Sequence, residues 1–316
     1  RSRSQFQGRG LRVAAMVTPL LSSWHHQLAS SLFALALGPL LNAQATGLAI
    51  KSGESIAFLG DSITAGGARG PAGYCQLVVR GLALAGVQAK MLPAGVSGHK
   101  SNQMLARLQR DVLAKNPDWM TLSCGVNDVW HGKNGVPLED YKKNITQIVD
   151  RAQAAGIKVM ILTSTMIRED PSNDQNQTLS KYNAFLKQLA KTKGCRLADL
   201  YDDMKTGLIV GEGKPNGNQL TTDGVHMNTL GNIVMATGVL RGFGMSQQDI
   251  VKARQDFESI PKACQVRTDC RMTVVEYKRL RAAAPKAGMS IQRLVQVTLE
   301  QRVAELLRQQ IDCIQA

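Results

Sequence analysis

The chain has 316 residues, 44% of them hydrophobic and 20% charged, an ordinary globular composition that excludes a disordered or fibrous protein. A net charge of +14 would suit an anionic surface or polymer. The basic residues are scattered among acidic ones, however, and aromatics make up only 4%, so the basic face and stacking residues of a nucleic-acid binder are missing.

Residues 1–45 read as a targeting segment. Four arginines (Arg1, Arg3, Arg9, Arg12) and no acidic residue precede the apolar run LASSLFALALGPLL, which ends in Ala43-Gln44-Ala45, the small-x-small pattern of a signal-peptidase site. The run is shorter than the roughly 20 apolar residues that span a bilayer, and Pro39 interrupts it. The expectation is export to the periplasm or beyond, with cleavage near Ala45 and no stable membrane insertion afterwards.

From residue 54 onward β-type runs alternate with helical patterns. SIAFL precedes a helix near 72–86, AKML precedes SNQMLARLQRDVLAKN, WMTLS precedes PLEDYKKNITQIVDRAQAAG, and IKVMILT precedes LSKYNAFLKQLAKTK. In the second helix Met104, Leu105, Leu108, Val112 and Leu113 form one stripe, with Ser101 or Asn102 placed to cap it. Strands alternating with helices imply right-handed crossovers and a parallel sheet covered on both faces, a doubly wound α/β domain over 46–245. Residues 246–316 read as a helical extension in which Ile291, Leu294, Val295, Leu299, Val303, Leu306 and Leu307 recur at threes and fours. Its polar face mixes Glu with Arg, which favours packing on the main domain or a partner subunit over lying on a membrane. The oligomeric state is left open.

All six cysteines come after the leader, where disulfides are permitted; Cys264 and Cys270 are the preferred pair, while Cys124 and Cys195, in or beside strands, read as buried thiols. No Cys-x-x-Cys or tight histidine spacing supports a metal site, and no metal or cofactor is expected.

In an open parallel sheet the chemistry lies beyond the carboxyl ends of the strands. After the first strand comes Gly60-Asp61-Ser62, after the second PAGVSG with Gly95, and after the third CGVNDVW with Asn127 and Asp128; LTTDGVHMN supplies Asp223 and His226 late in the chain. Each block alone is weak, but their order at successive strand ends is specific. A serine hydroxyl attacks only if a nearby base takes its proton. Of the three histidines after the leader (His99, His131, His226), only His226 has a carboxylate three residues before it with a glycine between. The expected triad is therefore Ser62, Asp223 and His226.

With these blocks the sequence resembles the SGNH hydrolases, the GDSL group of serine esterases, over roughly residues 54–240; the four letters fall on Ser62, Gly95, Asn127 and His226. The resemblance implies a flavodoxin-like three-layer α/β/α fold and cofactor-free hydrolysis of acyl esters. It also implies an oxyanion hole made by the backbone N–H groups of Ser62 and Gly95 and the side-chain amide of Asn127. One departure is Pro93, where the family often has Asn two residues before the glycine. Asp61 and Asp128 are expected to support the loops. Trp130 either lines the substrate pocket or packs under its loop, and His131 and His99 are candidates for substrate contact or plain loop histidines. The loops 165–176 and 207–220 are expected to shape specificity.

The reading is an exported serine esterase acting through an acyl-enzyme on a small-molecule or polysaccharide-linked ester, short acyl or acetyl groups slightly favoured. A lysophospholipase or general lipid esterase, a catalytically silent glycan-binding module, and an interaction protein dominated by its C-terminal helices are the alternatives.

Overall fold

A computed structural model describes residues 47–208, 218–261, 263–264 and 272–315, with side chains to residue 309. The leader, Cys270 and residues 209–217 of the second loop lie outside the described residues.

Five strands, β1 (Ser55–Gly60), β2 (Lys90–Gly95), β3 (Trp119–Ser123), β4 (Lys158–Leu162) and β5 (Arg196–Ala198), form one parallel sheet of order β2-β1-β3-β4-β5. This is the flavodoxin-like arrangement. β1 and β3 read as near-continuous apolar runs because helices cover both faces of the sheet: every residue of β3, and all of β1 but Ser55, is buried.

The helices are α1 (Ser62–Gly67), α2 (Tyr74–Leu84), α3 (Ser101–Asp111), α4 (Val126–Trp130), α5 (Leu138–Ala154), α6 (Asp174–Thr192), α7 (Leu200–Gly207), α8 (Thr229–Gly242), α9 (Gln247–Glu258), α10 (Val274–Lys286) and α11 (Ile291–Gln315). α3, α5 and α6 pack together, as do α2, α8 and α9. Edge-to-face pairs tie the second group to the sheet, Phe58 with Tyr74 at 6.1 Å between centroids and Trp119 with Phe243 at 5.2 Å.

Met104, Leu108 and Val112 are buried, as their spacing predicts. The cap of α3 differs from expectation. Lys100 holds the N-cap position and its N–H is taken by Gln103 Oε1 at 3.0 Å, while the Ser101 N–H is taken by Asp128 Oδ1 at 3.0 Å. A carboxyl group from α4 thus does the work of a local cap.

α9 is sealed onto the main body. Its Ile250, Ala253 and Phe257 are buried, and Asp256 pairs with Arg80 of α2. A Cβ on Gly81 would lie 2.5 Å from Leu240 and 3.2 Å from Phe257, so the bare glycine lets α2, α8 and α9 meet closely. The sequence boundary at residue 245 therefore falls between two helices that share one core. α10 and α11 pack on each other, and Leu299, Val303, Leu306 and Leu307 of the long apolar stripe face solvent.

Candidate active site

The carboxyl ends of β1, β2 and β3 meet where the strand order reverses. β1 runs into Asp61, whose Oδ1 accepts the Ile63 N–H at 2.9 Å and caps α1. That cap turns the chain so that Ser62 is the first residue of α1, its hydroxyl half-exposed and its N–H among those a helix start leaves without an internal partner. Gly60 must be bare here, because a Cβ would lie 2.0 Å from Thr64 Oγ1.

β2 is an edge strand, and the parity of its hydrogen bonds decides what Gly95 can do. Lys90 N–H and Val96 N–H donate to β1 at Glu54 O (2.9 Å) and Gly60 O (3.0 Å). Successive residues of a strand face opposite ways, so the N–H of Gly95 points away from β1, off the open edge of the sheet. Pro93 has the same parity. Its missing N–H costs the sheet nothing, which accounts for the tolerated departure from the family pattern.

Beyond β3, Gly125, at φ 136°, leads into α4, where Asn127 and Asp128 are both buried. Asn127 Nδ2 donates to Asp61 Oδ2 at 3.1 Å and to the His99 carbonyl at 3.2 Å, so both its hydrogens are engaged in the free protein. Asp61 is 2% exposed; burial, reinforced by the charge of Asp128, pushes its carboxyl up to about 6. Burial also raises Asp128, against the Ser101 hydrogen bonds that favour its charged form.

Asp223 and His226 stand in a turn closed by the bridge between Thr221 and Met227. Asp223 Oδ1 accepts the N–H groups of Val225 (3.0 Å) and His226 (2.8 Å), and its Oδ2 lies 2.6 Å from His226 Nδ1. His226 Nε2 in turn lies 2.9 Å from Ser62 Oγ. Partial burial raises the Asp223 carboxyl, but these N–H groups and the His226 ring outweigh it and hold it below the ordinary value. Ser62, His226 and Asp223 thus form one unbroken hydrogen-bonded relay.

Trp130 and His131 lie together beyond α4, their rings stacked at 5.7 Å between centroids. Trp130 packs against the core, and its carbonyl takes Gln175 Nε2 at 3.3 Å. Neither ring is among the hydrogen-bond partners of the relay, and contact of Trp130 or His131 with substrate stays a proposal. His99 enters the site through its backbone, and its ring is held by Arg107. Two residues that the sequence patterns do not reveal are Arg107 and Glu169. Arg107, 5% exposed on α3, donates to Gly60 O and Ala94 O, both at 2.8 Å, and to His99 Nδ1 at 3.1 Å. An arginine beside the apolar stripe of an amphipathic helix gives little sign of such burial. Among the described residues no cluster of His, Cys, Asp and Glu could hold a metal ion, and no helix is long and apolar enough to cross a membrane.

A serine–histidine–aspartate relay at the carboxyl edge of a 2-1-3-4-5 parallel sheet is the arrangement of an SGNH-type serine hydrolase. Residues 58–233 match the GDSL-like Lipase/Acylhydrolase family, and the chain belongs to it and is a carboxylic ester hydrolase. An acetylxylan esterase of Geobacillus stearothermophilus is 25% identical over 217 residues, which cover 62% of this chain and 96% of the relative. A solved acetyl xylan esterase structure is 33% identical with a TM-score of 0.55, covering 59% of this chain and 98% of its own. An α/β hydrolase enzyme from the metagenome of Lake Arreo, Spain, is 25% identical with a TM-score of 0.57, covering 63% and 98%.

Proposed function

We propose that the protein is an exported esterase that removes acetyl or other short acyl groups, acetylated carbohydrate being the substrate class, through an acyl-enzyme on Ser62. The observation that carries the reading is the relay of 2.9 Å from Ser62 Oγ to His226 Nε2 and 2.6 Å from His226 Nδ1 to Asp223 Oδ2. In this reading Nε2 takes the hydroxyl proton as Oγ attacks the ester carbonyl, then returns it to the departing alcohol. Water repeats the sequence to release the acid. Asp223 holds the Nδ1–H tautomer and stabilises the imidazolium.

The oxyanion would take the N–H of Ser62, the edge-facing N–H of Gly95 and one N–H of Asn127. Because both Asn127 hydrogens are engaged, the oxyanion must replace or share an acceptor. The longer bond, to the neutral His99 carbonyl, is the one to yield, while the Asp61 bond keeps the amide aimed. The named acetylxylan esterases among the relatives support the acyl and carbohydrate preference; Ala43-Gln44-Ala45 after the apolar run supports export.

The test is hydrolysis of nitrophenyl esters from acetate to dodecanoate, with acetate release from acetylated xylan, by the chain from Thr46 onward and by Ser62→Ala. Activity that falls with acyl length and vanishes in the variant is expected. A preference for long chains would replace the carbohydrate substrate with a lipid one, and activity retained by Ser62→Ala would remove the nucleophile.

A further inference from the structure

We propose that Glu169 is a positioning residue for the turn that carries Asp223 and His226; the inference rests on the triad reading above. Neither residue of that pair belongs to a helix or strand. The turn is closed internally, by Thr222 N–H on His226 O at 2.8 Å and Asn228 N–H on Leu220 O at 3.0 Å, and such a closed turn could tilt as a unit away from Ser62. Ser62 itself is fixed by β1 and α1. Val225 is buried in the main core and Met227 O takes Asn232 Nδ2 of α8 at 3.4 Å, which secures the His226 end; the Asp223 end needs a tie of its own.

Glu169 supplies it from the loop after β4. Its Oε2 accepts the Gln219 N–H at 2.7 Å, and its Oε1 accepts the Leu220 N–H at 2.9 Å and the Thr221 hydroxyl at 2.6 Å. Thr221 Oγ1 then accepts the Gly224 N–H at 3.0 Å, and Arg168 N–H donates to Gly224 O at 2.6 Å. Gly224, at φ 92°, comes directly after Asp223. The peptide on each side of it is thus gripped from residues 168 and 169, one directly and one through a single hydroxyl.

The backbone shows that this grip is built at a cost. Arg168 (φ 60°) and Glu169 (φ 50°) are consecutive non-glycine residues in the left-handed region, which L side chains disfavour. That conformation sends Arg168 outward and Glu169 inward, where it is 6% exposed. The carboxyl group meets three neutral donors, all of them on residues 219–221, so both its oxygens are spent on the turn. The apolar cluster of Met166, Met204 and Leu220 beneath gives adhesion without direction.

Glu169→Gln keeps the shape but turns one acceptor into a donor facing an N–H. A displacement of about 1 Å at a catalytic group costs on the order of 100-fold, so kcat should fall about 10- to 100-fold with KM unchanged. The far-downfield proton resonance of the His226–Asp223 hydrogen bond should broaden or move. Thr221→Val, which cuts only the hydroxyl link, should change both readouts in the same direction by less, and it carries the test if Glu169→Gln does not fold. In an Asp223→Asn background the added effect of Glu169→Gln should disappear, whereas a general loss of structure would persist. Wild-type turnover and resonance in a folded Glu169→Gln, or a drop undiminished in the Asp223→Asn background, would overturn the proposal while leaving the triad intact. Full activity of Asp223→Asn alone would overturn the triad reading and this inference with it.

Discussion

Asp61 gives a pH signature that can be worked out in advance. It lies under Ser62 with 2% exposure and a carboxyl raised from 3.8 to about 6 by burial and by Asp128. Between those two values the folded protein holds a proton that the unfolded chain has lost. Stability from this group is therefore complete below pH ~4 and is lost as pH rises through about 6. A shift of about two pH units, at about 1.4 kcal/mol each, amounts to roughly 3 kcal/mol. In Asp61→Asn the new side chain can still cap Ile63 through its oxygen, but its amide would face the amide of Asn127, a penalty that does not titrate. Urea unfolding at pH 4, 5, 6 and 7 separates the two effects. The free energy of the native protein relative to the variant should fall by roughly 3 kcal/mol across that range. Asp111, held near 2 by Arg110 against the effect of burial, titrates below the window. Parallel curves for the two proteins would refute a protonated, buried Asp61.

Asn127→Ala should lower kcat by about 100- to 1000-fold with little change in KM, the mark of a lost oxyanion donor, as measured by steady-state kinetics. Gly95→Ala should lose both turnover and melting temperature, because its Cβ would lie 2.4 Å from Ala65 N and 2.8 Å from Ala65 Cα, forcing α1 and Ser62 aside. A chain ending at Cys264 keeps α9 and should retain esterase activity and cooperative unfolding. One ending at Gly244 strips Ile250, Ala253 and Phe257 from the core; with about 3–5 kcal/mol expected for a buried Phe alone, it should be insoluble or inactive.

The strand ends were legible because buried parallel strands are short apolar runs and each must give way to a turn; position marks the blocks after β1, β2 and β3, and the family resemblance picks Ser62, Gly95 and Asn127 out of them. The short elements were not. α1, α4 and β5 span too few residues for either periodicity to declare itself. α9 shows little of its burial in its pattern, because its three buried residues are diluted by Gln, Asp, Lys and Arg on its solvent side. Glu169 was hidden for another reason. Its importance depends on a left-handed backbone that nothing in Arg-Glu-Asp-Pro announces, and on partners some 50 residues away.

Arg107 shows why the Ser62, Gly95 and Asn127 blocks hold together although they come from separate strands. An edge strand alone can offer an unpaired N–H at alternate residues, so β2 is the strand that can spare the Gly95 N–H for the oxyanion role proposed for it. Arg107 ties the end of β2 to the end of β1 with donors fixed in one plane: one nitrogen on Ala94 O, another on Gly60 O, and Nε on His99 Nδ1. The Ala94 carbonyl belongs to the same peptide as the Gly95 N–H, so a cation on the oxygen both orients that N–H and makes it a stronger donor. Through the ring of His99 it also steadies the loop whose carbonyl receives Asn127. The effect reaches the ring itself: burial and then the guanidinium charge keep His99 below the usual histidine range, with Nδ1 the acceptor. A lysine at this position would carry the charge but not the fork, and could not hold β1, β2 and the His99 loop in one geometry.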